Sequence, residues 1–291
     1  MATPVVTVAA GGLPVTEVTG RGMPVTEASN GRGTAVTKVA ARGLPVQYVS
    51  DTVVSSGPPL DALTANLTGA YSTGRKLLTA YGGAFYTPIA SEVSVWLDQT
   101  AAARNLAPSL TTARPDVVTA GPNSRAMFAF NPATNDNVVS TALANTFITP
   151  AAGYVVMSFI KDDLPPTGQQ NLFADQDVFF SIVCEAGALY ASSWDVPGLG
   201  QSKTTPEPIV ANQPYVVEWI HSGGVLSFRL NGGLTRSVAA PNTGGLAPGK
   251  MISVGDTLTK MRVCEFALFS AVPTQAQRDT LVANLKAYIG A

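Results

Sequence analysis

The chain is poor in the residues that carry most protein chemistry. Of its 291 residues one is histidine, two are cysteine and only 13% are charged, which leaves a net charge of −1. A nucleic-acid-binding surface needs lysine and arginine clustered on one face, and so neutral a chain has no such footprint. Two cysteines, Cys184 and Cys264, are too few for a disulfide scaffold and lack metal-ligand spacing. Each lies in an apolar, strand-like run, "FFSIVC" and "MRVCEFALF", where a buried, inert thiol is expected. The beginning, "MATPVVTVAAGG", has neither the basic head nor the continuous apolar run of a signal peptide, and no window reaches the roughly 20 apolar residues of a membrane span. No cofactor, metal, nucleic-acid or membrane partner is expected.

Glycine and proline, by contrast, are abundant at 27 and 21 residues, and the first fifty residues arrange them periodically. Pro4, Pro14, Pro24, Ala35 and Pro45 are equivalent positions, each followed by valine: Val5, Val15, Val25, Val36 and Val46. Three residues later comes a second small apolar column of Val8, Val18, Ala28, Val39 and Val49. Side chains three apart on a strand point to opposite faces, so each short strand carries an apolar residue on both. Glycines between the strands supply turns. Strands of this kind are stable only when stacked on neighbours. Residues 1–50 are therefore expected to be an assembly segment, its two valine columns paired with other subunits, most simply in a homotrimer around a threefold axis.

Residues 51–59, rich in serine, glycine and proline, read as a linker. Beyond it, Leu60, Leu63, Leu67, Tyr71, Leu78 and Tyr81 fall at helix-like intervals ended by Gly82-Gly83, which predicts a helix. From "FYTPI" to "MRVCEFALF" the pattern is then short β-branched or aromatic runs separated by Gly, Pro, Asn or Asp. "WIHSGGVLSFRLNGGLTRSV" reads as a three-strand meander with two glycine turns. Thr274 is placed to cap a closing helix whose Leu281, Leu285 and Tyr288 or Ile289 form one stripe. Residues 60–291 are thus expected to be an all-β sandwich with short helices.

The segments "AYSTGRKLLTAYGG", "VWLDQT" and "AMFAFNPATNDNVV" resemble the concanavalin A-like (LamG-type) jelly-roll modules, and among them the arabinofuranosidase-B-like domains. The resemblance implies a jelly-roll β-sandwich over residues 60–291. It also departs from the enzymes of that group: the insert between Gly83 and Trp96 is short, and Thr100-Ala101 replaces a Ser-Gly. No aspartate or glutamate matches a catalytic motif of the family, and no catalytic residue is expected. In the resembling modules the motif around Asp98 is a structural turn. Asp162, Asp163, Asp175 and Asp177 read as solvated loop acids, Glu185 and Glu218 as unpaired, and His221 as an exposed strand end before a turn.

Jelly rolls commonly bind sugars by stacking aromatic rings on them while loop polar groups bond the hydroxyls. Tyr190, Trp194 and Asp195, beside a Gly-rich loop, are the candidate carbohydrate site. Short Gly/Pro-Val-Thr repeats ahead of such a module resemble the leaders of bacteriophage virion proteins. The resemblance implies a non-enzymatic structural component, a fibre, decoration or tail protein, assembled in the host cytoplasm with other virion proteins and displaying a lectin-like roll toward host surface glycans. The alternative is a carbohydrate-active enzyme or an envelope lectin module.

Overall fold

A computed structural model describes residues 7–9, 18–21, 27–29 and 39–42, and residues 58–291 apart from 120, 150–151, 165–166, 176–179, 195–200 and 241–249. The chain divides into two compact units, Met1–Pro58 and Pro59–Ala291.

In the first unit four strands pair in parallel. Thr7–Ala9 lies beside Glu27–Ser29, with Val8 opposite Ala28. Val18–Arg21 lies beside Val39–Arg42, with Val18 opposite Val39. Alternate repeats therefore pair, and the second apolar column of the sequence sets the register of both pairs. Expected to pair between subunits, these four strands each have one edge paired within the chain; a spacing of two repeats brings the sequence back beside itself. The positions Val5, Val15, Val25, Val36, Val46 and Val49 lie outside the described residues.

The second unit is an all-β sandwich of antiparallel strands. One sheet is centred on Ala152–Lys161, flanked by Pro214–Ser222 and Met261–Phe269. It continues through Val225–Leu230 and Arg236–Ala239 on one side. On the other side Leu67–Ser72 and Met127–Phe130 share the edge of Met261–Phe269. The facing sheet runs Ala188–Trp194, Phe180–Glu185, Gln169–Asp175, Met251–Val254, Val138–Leu143 and Leu106–Pro108, then Glu92–Trp96 and Tyr86–Ile89.

The central strand reads apolar on both faces because both are covered. Val155, Met157 and Phe159 enter the inter-sheet core, whereas Tyr154, Val156 and Ile160 enter a second core beneath the closing helix. A β-bulge in Met261–Phe269 keeps that sorting consistent. Ser158 pairs with Glu265 and Phe159 with Val263, so Cys264 is the extra residue. Val263 and Phe266 thereby both face the inner core while Cys264 faces the outer one. Both cysteines are free and buried, Cys184 in the inner core and Cys264 in the outer, and burial pushes the Cys184 thiol up to about 11.

The closing helix spans Gln275–Ile289 and begins with a capping box in which Thr274 and Gln277 satisfy each other's backbone amides. Gly290, at φ 76°, ends it in the left-handed region. Leu281, Val282, Leu285, Tyr288 and Ile289 are buried against the outer face of the sheet. Among the described residues no helix is long and apolar enough to cross a membrane.

Three expectations are corrected here. The helix predicted over residues 60–81 is one 3-10 run, Asp61–Asn66, followed by the strand Leu67–Ser72. The leucine spacing suits either element, and pairing with Met261–Phe269 decides for the strand. Asp175 is buried rather than solvated, its Oδ1 accepting from the Phe180 amide at 3.3 Å. His221 is buried at 2% exposure, tilted against Trp219, with Nε2 3.5 Å from the Ala240 carbonyl oxygen.

Burial holds the His221 pKa below its ordinary value, with the Ala240 contact opposing it. The unfolded chain then takes up the proton more readily, so stability should fall as pH drops below the ordinary histidine pKa of about 6.5. Chemical denaturation at stepped pH, on the wild type and on His221→Gln, checks this. The variant should flatten the loss just below neutrality, and an unchanged slope would refute it.

Candidate binding site

The segment around Asp98 organises one corner of the sandwich. Asp98 Oδ1 accepts from the backbone amides of Ala70 (3.0 Å) and Thr100 (2.9 Å). Its Oδ2 accepts from the Thr100 hydroxyl (2.6 Å) and the Arg104 amide (2.9 Å). Burial raises the Asp98 carboxyl pKa, and these hydrogen bonds pull the other way. Gln99 reaches back to residues 75–77, its Oε1 accepting from the Leu77 amide (2.7 Å) and its Nε2 donating to the Arg75 carbonyl (3.0 Å). Trp96 Nε1 donates to the Ser72 carbonyl at 3.0 Å. Both carboxylate oxygens of Asp98 are thus engaged in forming the turn.

This turn fixes Arg104. Its amide is held by Asp98, its carbonyl accepts from the Tyr71 hydroxyl, and Nη1 donates to the Thr68 carbonyl at 2.6 Å. The guanidinium carbon lies 5.4 Å from the centre of the Phe147 ring. Arg104 is thereby set in the wall of a groove of about 420 Å³. Leu67, Leu78, Ala80, Ala101 and Ala102 make its apolar surface, and Asp61, Thr64, Thr68 and Thr100 add polar groups. Asp61 is exposed, and hydrogen bonds from Thr79 hold its carboxyl below the usual range. An apolar surface bearing one guanidinium, one carboxylate and several hydroxyls suits a small neutral or acidic polar ligand, and the volume lies in the usual range for ligand sites.

Of the aromatic site expected from the sequence, the described side chain is that of Tyr190. Tyr190 is buried at 2% exposure, its hydroxyl donates to Glu185 Oε2 (2.8 Å), and Lys203 Nζ lies 5.0 Å from the ring centre. Trp194 ends the strand Ala188–Trp194, and Asp195 lies outside the described residues. Glu185 and Glu218 are not brought together. Glu185 is half-exposed and engaged by Tyr190, Gln169 and Lys203. Glu218 is buried under the closing helix between Tyr154 and Arg229. Asp162 pairs with Arg262 (2.6 Å) and Asp163 with Lys161. Among the described residues no three His, Cys, Asp or Glu side chains form a metal-binding group.

No protein-family model matches the sequence, and no curated protein sequence matches it. Solved structures do. The binding domain of Paraclostridial Mosquitocidal Protein 1 is similar over 77% of this chain, at 12% identity and a TM-score of 0.56. The ligand binding domain of Botulinum neurotoxin serotype D in complex with N-acetylneuraminic acid is similar over the same share, at 11% identity and a TM-score of 0.55. The binding domain of Botulinum Neurotoxin DC in complex with SialylT matches 67% of this chain, at 10% identity and a TM-score of 0.52. In each case this chain spans about half of the other, 52%. At such identities the likeness establishes the fold, an all-β sandwich shared with these toxin binding domains.

Proposed function

We propose that the chain is a non-catalytic, glycan-binding module of concanavalin A-like build, carried on a bacteriophage virion by its repeat segment. The observation that carries the binding reading is the groove at Arg104, where a rigidly positioned guanidinium and several hydroxyls border apolar residues. Sugars present the matching chemistry: hydroxyls or a carboxylate for the polar groups, and apolar ring faces for the leucines and alanines. The solved neighbours, whose own ligands include N-acetylneuraminic acid, support this reading through fold alone. The virion reading rests on the Pro-Val-Thr repeats, which would join the chain to its own copies, in a homotrimer, and to other virion proteins assembled in the host cytoplasm.

A glycan array spanning neutral, uronic and sialylated saccharides tests the binding reading. The full chain should retain a defined subset. Arg104→Ala should weaken each retained glycan about tenfold or more, as expected when a hydrogen bond to a charged group is lost. Binding unchanged in that variant would move the site elsewhere, and a blank array would overturn the function.

A further inference from the structure

We infer that the groove beside Arg104 takes neutral sugars and discriminates against acidic ones, and that Asp61 sets this preference. The inference rests on the glycan-binding reading of the groove and names its ligand class.

The balance of charge is the first ground. Among the described residues that line the groove, Arg104 and Asp61 are the charged ones, of opposite sign. Behind them stands a second carboxylate, Asp98, at 4% exposure. It accepts from the amides of Ala70, Thr100 and Arg104 and from the Thr100 hydroxyl, which is the bonding of an ionised carboxylate. Asp98 and Arg104 act on the same buried hydroxyl, that of Tyr71. Burial raises the Tyr71 pKa most, the Asp98 charge adds to the rise and the Arg104 charge opposes it. One guanidinium therefore stands against two carboxylates. The carboxylate of an acidic sugar would add a third negative charge, whereas a hydroxyl adds none, and like charges brought together at a binding site oppose association.

The second ground is how firmly the two lining charges are held. Arg104 Nη1 already donates to the Thr68 carbonyl at 2.6 Å, so the protein fixes the guanidinium before a ligand arrives. Asp61 is exposed, yet its Oδ1 accepts from the Thr79 amide at 2.8 Å and its Oδ2 from the Thr79 hydroxyl. Those bonds, the hydroxyl one most, hold its carboxyl below the usual range, so Asp61 is ionised at neutral pH. An ionised carboxylate has about four acceptor sites, and Thr79 leaves part of them to the hydroxyls of a neutral ring. The same oxygens repel an acidic one.

A matched pair of oligosaccharides tests this on the full chain. The two share the backbone of a glycan retained on the array and differ at one sugar, a neutral hexose in one and the corresponding uronic acid in the other. In calorimetric titrations the wild type should bind the neutral member about tenfold or more tightly, with the gap narrowing as added salt screens the repulsion. Asp61→Asn removes the charge and keeps an acceptor for the Thr79 amide, so it should strengthen the uronic member and bring the ratio toward one. Wild type binding the uronic member as tightly as the neutral one, or a ratio unchanged in Asp61→Asn, would overturn the inference. The groove reading would then still stand, provided Arg104→Ala weakens both members. Failure of the chain to bind any glycan would overturn both. The wild-type ratio decides by itself if the variant folds poorly.

Discussion

Glu218→Ala should destabilise the sandwich by about 3–5 kcal/mol, the cost of leaving buried charges without their partner. Glu218 is fully buried, and around it lie the Tyr154 hydroxyl at 3.0 Å, Arg229 Nη1 at 3.2 Å and Arg278 Nη1 at 3.7 Å. The two arginine side chains are themselves only 4% and 12% exposed. Oε2 of Glu218 and Nη1 of Arg229 face each other without hydrogen-bond geometry, so charge alone links them. Burial raises the Glu218 carboxyl, and Arg229 opposes it most. Removing the carboxylate leaves Arg229 with Asp279 as its charged partner, bonded to Nη2 at 2.7 Å from the exposed side of the helix. Because Arg278 and Asp279 belong to the closing helix, protection of that helix in hydrogen exchange should fall with global stability. Replacing Glu218, Arg229 and Arg278 together by apolar residues of similar size should recover most of the loss, since a buried ion cluster and a well-packed apolar one are of similar stability. A single variant as stable as wild type would show that the cluster holds nothing.

The second large effect is expected at Trp96. Its ring is fully buried and meets Phe128, Phe266 and Tyr71 edge-on at 4.7, 5.0 and 5.9 Å between centroids. Trp96→Ala should cost about 3–5 kcal/mol. For a unit of this size that corresponds to a drop in Tm of roughly 6–20 °C by calorimetry. The indole also donates to Ser72 from the strand that leads into Asp98, so the loss should loosen Arg104. Trp96→Phe keeps most of the packing and should lie well between the two, whereas equal melting of all three proteins would place Trp96 outside the core.

The sequence made some of this legible and hid the rest for physical reasons. The closing helix was readable because Thr274 and the leucine stripe mark it locally, and the observed helix is capped by Thr274 and buries that stripe. The strand at residues 67–72 was not, because a strand covered on both faces loses its alternation and Leu63, Leu67 and Tyr71 then match a helical spacing. His221 looked exposed beside a glycine turn, yet the Ala240 carbonyl from the far end of the meander closes over it. The Asp98 turn was legible as structure from its motif. Arg104 was missed because its role depends on three contacts from Tyr71, Thr68 and Asp98, of which only Asp98 lies nearby in sequence. The small residues Ala101 and Ala102 between that motif and an arginine were the available signal. In the repeats, spacing was plain, but a pattern repeated five times does not say which repeat pairs with which.

The central claim is that the groove beside Arg104 receives a sugar, and backbone amide chemical-shift mapping of the full chain tests it most directly. Titration with a glycan retained on the array should move the amides of Thr68, Ala80, Ala101, Ala102 and Arg104 and leave Glu185, Tyr190 and Lys203 in place. Shifts confined to Glu185, Tyr190, Trp194 and Lys203, with the groove unmoved, would contradict it.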